Sequence, residues 1–251
     1  LGLIHNIIDN NSILFRREFS SFFATPVAYV FIGIFLILSG VFTFFVGGFY
    51  ERGQADLLPF FNFHPWLYLF LVPAISMRSW SEERKSGTIE LLMTLPISSW
   101  QAMLAKHLAA WSVLGLSLLL TFPLWLTVNY LGNPDNGIIV AAYVGSWLMA
   151  GAFLSIGMCM SAITKNQVIA FILSLVVCFL FVVSGSNIVL DAFKSWAPSM
   201  VIDVVASFSF LTHFEAMAKG VIALNDLIYF LIVTGCWLFA GLVIIEQKKA
   251  D

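Results

Sequence analysis

Six stretches of this chain each run for about twenty residues without a single Asp, Glu, Lys or Arg. A helix of that length matches the hydrocarbon thickness of a bilayer. The stretches are Pro26–Phe49, Pro59–Met77, Leu108–Leu131, Ile138–Ile163, Gln167–Leu190 and Leu227–Ile245. Composition removes the alternative of one large water-soluble core. The chain is 60% hydrophobic and only 10% charged, where soluble domains carry about 25% charged residues. So little polar surface cannot cover a soluble body. The expected fold is all-α: a polytopic membrane protein with six transmembrane helices, forming a single transmembrane domain over residues 1–251.

Lysine and arginine set the expected orientation. Arg16, Arg17, Arg78, Arg84, Lys85, Lys106, Lys165, Lys248 and Lys249 fall on one side of a six-span arrangement, and Arg52, Lys194 and Lys219 on the other. The first side is read as cytoplasmic, with both termini there. Polar residues Asn6, Asp9, Asn10 and Asn11 precede the first apolar run, so no cleavable signal sequence is expected. A net charge of −2 offers no footprint for nucleic acid. Cys159, Cys178 and Cys236 lie in apolar runs without metal-ligand spacing, as small hydrophobes do.

Residues 11–24 read as an interfacial helix. Ile13, Leu14, Phe15, Phe19, Phe22 and Phe23 spread over one broad side, with Arg16, Arg17, Glu18 and Ser20 elsewhere. That pattern suits a helix lying at the head-group level. The outer segment 191–226 is apolar but interrupted by Asp203, His213, Glu215 and Lys219. It reads as short re-entrant extracytoplasmic helices before the last span, packed against protein because exposed backbone is costly at that depth. Its residues Phe210, His213 and Phe214 are candidates for a gate.

The spans hold no ionisable group with which to couple ion movement. His64, beside Pro65 and Trp66, is the one titratable candidate and is expected to be a structural histidine near the outer interface. Small residues recur in the fourth span, at Gly145, Ser146, Ala150, Gly151, Ala152, Ser155 and Gly157. They permit close helix approach, either within the chain or at a dimer seam.

Charge concentrates in residues 79–100, "SWSEERKSGTIELLMTLPISSW". Ser81–Ser86 is expected to carry the second span into water, and Gly87 to break the helix. Thr88 is an N-cap for a new one. Glu90 falls in its first turn, where a negative charge complements the dipole. Ile89, Leu92 and Met93 share a face, and Pro96 ends the helix. A helix this short is unstable alone in water, so its apolar face needs a soluble partner.

This region, "PAISMRSWSEERKSGTIELLMTLPISSWQAMLAKHLA", resembles the coupling region of ABC-2 type transporter permeases. It is most similar to the GldF-like branch associated with gliding-motility ABC systems. Pro73, Met77, Arg78, Glu82, Glu83, Gly87, Thr88, Glu90, Leu91, Leu92, Thr94, Pro96 and Lys106 carry the match. It extends to "RREFSSFFATPVAYVFIGIFLILSG" and "SFLTHFEAMAKGVIALNDLIYFL". The resemblance implies a bacterial inner-membrane permease, not an enzyme, without catalytic residues, cofactor or metal of its own. ATP and Mg would sit on a separate ABC ATPase, present in two copies. No phosphate-binding G-x-x-x-x-G-K-[ST] run occurs here. Two permease chains, as homo- or heterodimer, would complete the unit, with membrane lipid around them and an auxiliary extracytoplasmic protein as a further possible partner. The ATPase contact is assigned to Glu82, Glu83, Gly87, Thr88, Glu90, Leu91, Leu92, Thr94 and Pro96, with Arg16, Arg17 and Glu18 of the interfacial helix packed beside it. The implied function is an exporter permease. The alternative is an ATPase-driven scaffold that moves a partner without translocating anything.

Overall fold

The computed structural model describes residues 2–88, 98–194 and 198–248, and every regular element in them is helical. The order is α1 (Gly2–Ala24), α2 (Val27–Val41, closed by a π-helical turn, Phe42–Val46), α3 (Leu58–Asn62), α4 (His64–Ser76) and α5 (Ser81–Ser86). Then come α6 (Ser99–Leu119), α7 (Phe122–Leu131), α8 (Asn136–Ile163), α9 (Gln167–Val183), α10 (Asn187–Lys194), α11 (Ser199–Ser207), α12 (Phe210–Ala218) and α13 (Leu224–Gln247).

Helix starts follow local chemistry. Asp135 caps α8 by accepting from the Gly137 and Ile138 amides, and Asn166 caps α9 through Val168. Ser98 and Gln101 form a reciprocal capping box on α6. Ser209 caps α12 through Thr212. Each satisfies amides that no helical carbonyl can reach.

Four helical stretches are long and apolar enough to cross a bilayer: Val27–Val46, Ser99–Leu131, Asn136–Ile163 and Leu224–Gln247. A bent pair, α11 and α12 at 63°, passes the same test only if taken as one broken span or re-entrant loop. Two expected spans are therefore shorter than the sequence implied. The second is broken at Phe63, between α3 and α4, each opened by a proline in its first turn (Pro59, Pro65). The fifth stops at Val183 instead of continuing to Leu190. The third begins earlier, at Ser99, and is interrupted at Leu120–Thr121 before Pro123. Proline at a first helical position costs no hydrogen bond there, so these prolines start new helices within one apolar run.

α8 is the axis of the molecule. It packs against α13 most extensively, and also against α4, α6, α9 and α12. Its small residues serve this packing. A Cβ on Gly145 would lie 2.9 Å from Met217 Cβ, one on Gly151 2.9 Å from Trp111, and one on Gly157 1.9 Å from Ser76 Oγ. All seven small positions are buried inside the chain, so their use is intramolecular rather than a dimer seam. Outward-facing Ile37, Val176 and Phe239 leave an apolar exterior suited to lipid.

The chain visits two ends of this bundle in turn. Lys106 meets Glu18 and Glu83 at one end, where Arg84 and Lys248 reach the carbonyls of Ala162 and Ile163. At the other, Asp56, Asp135 and Lys219 line a common cavity of about 270 Å³.

The buried polar groups of the helices mostly bond backward to their own carbonyls. Thr43, Ser155 and Ser174 do so. His64 is fully buried, as suits a structural histidine: its Nδ1 lies 2.8 Å from Ser146 Oγ, which Tyr68 Oη also meets at 2.8 Å. Cys159 and Cys178 are buried, while Cys236 is exposed on the apolar exterior.

Candidate functional site: a charged junction at one end of the bundle

The expected continuation of the second span into water is a turn instead. α4 ends at Ser76, the chain bends through Met77–Trp80, and α5 starts at Ser81. Ser161 of the axial helix holds the bend. Its hydroxyl accepts from the Trp80 and Ser81 amides, both at 3.0 Å, and donates to the Met77 carbonyl at 2.9 Å. These groups stand at the ends of two helices and have no helical partner. One serine thus pins α5 to the axis.

α5 is short, with Glu82 and Glu83 in its first turn and Arg84 and Lys85 in its last, which complements its dipole. Arg84 Nη1 donates to Ala162 O at 2.7 Å. Gly87 ends the helix at φ +73, in the left-handed region that a Cβ disfavours. The expected break is found there. Thr88 bonds backward, to Ser86 Oγ at 2.9 Å and Glu83 O at 3.4 Å. Glu90, Leu91, Leu92, Thr94 and Pro96 lie outside the described residues.

The charges of the junction meet at Lys106. Its Nζ lies 2.7 Å from Glu83 Oε1 and 3.0 Å from Glu18 Oε2, and 5.4 Å from the ring centre of buried Trp80. One lysine therefore joins α1, α5 and α6. Lys106 precedes the apolar run that begins at Leu108.

α1 is longer than expected, starting at Gly2 rather than near Asn11. It packs chiefly on α6. Leu14 is buried and Phe19, Phe22 and Phe23 lean on the core, while Ile13, Arg16 and Arg17 face outward. Of the three expected residues, Glu18 pairs with Lys106, while Arg17 lines the cavity beside it.

The gate candidates lie elsewhere. Phe210 and Phe214 are core side chains, Phe210 against Phe153, Phe181 and Phe230. His213 Nδ1 lies 2.6 Å from Asp226 Oδ1 and its Nε2 3.0 Å from the Ser207 carbonyl, under the ring of Tyr229 at 3.9 Å.

Ser161, Trp80 and Arg84 were not among the expected site residues. Lys106 stood in the matched motif without a role. An isolated lysine two residues ahead of an apolar run was the available signal; Ser161 gave none. The stretch 67–245 matches the model of ABC-2 family transporter proteins. The chain belongs to the ABC-2 family. Over 145 residues it is 31% identical to the inner membrane transport permease YhhJ of Escherichia coli (strain K12). The protein of the same name from Shigella flexneri matches to the same extent. The match covers 56% of this chain but 36% of either relative, so the chain spans little more than a third of their length. This ABC-2 permease accordingly has its charged junction inside the matched stretch, apart from α1.

Proposed function

We propose that this chain is the membrane subunit of a bacterial ABC exporter of the GldF-like branch, driven by a separate ATPase that docks on the cytosolic segment 79–100. The observation that carries the reading is the junction at Lys106 and Ser161. A force applied to α5 has rigid routes to the axial helix, through Ser161 and Arg84, and to α1 and α6, through Lys106. A mechanical transducer requires such routes. The family match supports the presence of an ATPase partner and of a second permease copy.

Six membrane crossings are part of this reading. The alternation of the chain between two ends supports them, with α3–α4 and α9 as the short crossings. The sorting of charge supports a cytoplasmic Lys106 end, since Arg16, Arg17, Arg78, Arg84, Lys85 and Lys248 precede or follow elements that meet there. α11 and α12 would then form a re-entrant pair on the outer side, with His213 holding it shut against Asp226. Opening an outward path requires that pair to move.

The test is extraction of the membrane in mild detergent and identification of what co-purifies. A stoichiometric nucleotide-binding subunit, lost on replacement of Glu90 and Leu91, is the expected result. A chain that purifies alone under several mild conditions overturns the reading.

A further inference from the structure

The junction leaves two cations and one carboxylate oxygen unused. Arg17 and Arg78 line a cavity of about 340 Å³ between α1, the Met77–Trp80 turn and α6. Both are exposed, and neither has an ion-pair partner among the described residues. Glu83 lines the same cavity. Its Oε1 is taken by Lys106, but its Oε2 is buried without a hydrogen-bond partner among the described residues. A carboxylate oxygen in that state is costly unless a donor reaches it. Exposed Glu82 stands on the same wall.

The cavity is continuous with an apolar groove. It shares Val27, Ile75 and Arg78 with a second space of about 340 Å³, walled by Val30, Phe31, Ile34, Leu71 and Ala74 of α2 and α4. Val30 and Ile34 are exposed on the apolar exterior. One place thus offers a trough for an acyl chain, two guanidinium forks for a phosphodiester, and surplus carboxylate for an ammonium. Two glutamates share one lysine, and Glu82 adds a third negative charge, so the charges balance against Arg17 and Arg78. Such a balance matches a zwitterion better than an anion.

We propose that this composite site binds one aminophospholipid of the phosphatidylethanolamine type, phosphate on Arg17 and Arg78, ammonium toward Glu82 and Glu83, one acyl chain along the α2–α4 groove. The site rests on the reading of this end as the cytoplasmic face. Labelling of a Ser79→Cys variant tests that reading by itself: reaction with an impermeant reagent from outside would reverse the orientation and leave the binding test intact.

The binding test is native mass spectrometry of the full chain, extracted in mild detergent and offered equal amounts of dioleoyl phosphatidylethanolamine, phosphatidylglycerol and phosphatidylcholine. One phosphatidylethanolamine should be retained in preference to both others. Arg78→Gln should weaken retention about tenfold, as loss of a charge-assisted hydrogen bond does. Glu82→Gln should shift preference toward phosphatidylglycerol, and Ile34→Trp should displace all three. Arg78 and Glu82 are exposed, so their variants keep the fold. Equal retention of the three lipids, preference for phosphatidylglycerol by the unaltered chain, or retention unchanged in Arg78→Gln and Ile34→Trp overturns the proposal.

Discussion

Lys106 Nζ sits 2.7 Å from Glu83 Oε1, and those two residues tie the first helix after the Met77–Trp80 turn to the shaft of α6. Glu18 joins from α1 at 3.0 Å. The Lys106 side chain is only 10% exposed, so removing it leaves two carboxylates facing each other with little water. Breaking a pair of this kind costs about 3–5 kcal/mol. Lys106→Met should lower the melting temperature in detergent clearly, and Glu18→Gln less. The triple replacement Glu18→Gln, Glu83→Gln, Lys106→Met should recover most of the loss. Equal melting of Lys106→Met and the unaltered chain would show that the cluster contributes nothing.

Gly157 is where α8 comes closest to α4. A methyl group there would stand 1.9 Å from Ser76 Oγ and 2.7 Å from Ser76 Cβ. Ser76 is fully buried and cannot swing away. Overpacking of this kind costs about 1–3 kcal/mol. Gly157→Ala should therefore destabilise more than Gly145→Ala, whose methyl meets the flexible Met217 side chain as well as its Cβ. Adding Ser76→Gly to Gly157→Ala should restore stability. Thermal melting of the three variants orders them.

Much of this architecture was legible in the sequence, and the reasons are local. Uncharged runs and the glycine break at Gly87 act over a few residues. The breaks at Phe63 and Leu120 were not legible. Pro59, Pro65 and Pro123 are visible, yet whether a span continues past them depends on what packs there. The neighbours Pro65 and Trp66 say nothing of the hydrogen bond that holds His64; its partner Ser146 is 82 residues away. The same holds for Ser161, whose contacts with Met77, Trp80 and Ser81 join positions 80 or more apart. The junction behind the charged segment is a tertiary property, joining residues far apart in the chain.

Gly87 has room around it and strain in it. No atom lies within 4 Å of where its Cβ would stand, while φ is +73. Substitution therefore acts on the backbone alone, at about 1–2 kcal/mol for a residue with a Cβ and less for Asn. If the turn aims the ATPase-contacting segment, retention of the ATPase during purification should fall in the order Gly87→Asn, Gly87→Ala, Gly87→Val. The permease itself should melt only a few degrees lower. Full retention in all three would remove Gly87 from the contact.

His213 faces an oxygen from each ring nitrogen, Asp226 Oδ1 at 2.6 Å and the Ser207 carbonyl at 3.0 Å. Tyr229 stacks on that ring and donates its hydroxyl to the Phe208 carbonyl at 2.6 Å. Three side chains thus fasten the α11–α12 bend to the start of α13. Asp226→Asn weakens the charge-assisted bond, worth about 1.5–3 kcal/mol, and Tyr229→Phe removes one neutral bond while keeping the stack. Hydrogen exchange over residues 199–218 should therefore quicken strongly in Asp226→Asn and weakly in Tyr229→Phe, with the exchange of α8 unaltered. Uniform quickening throughout the chain would mean that these bonds serve the whole fold rather than the α11–α12 bend.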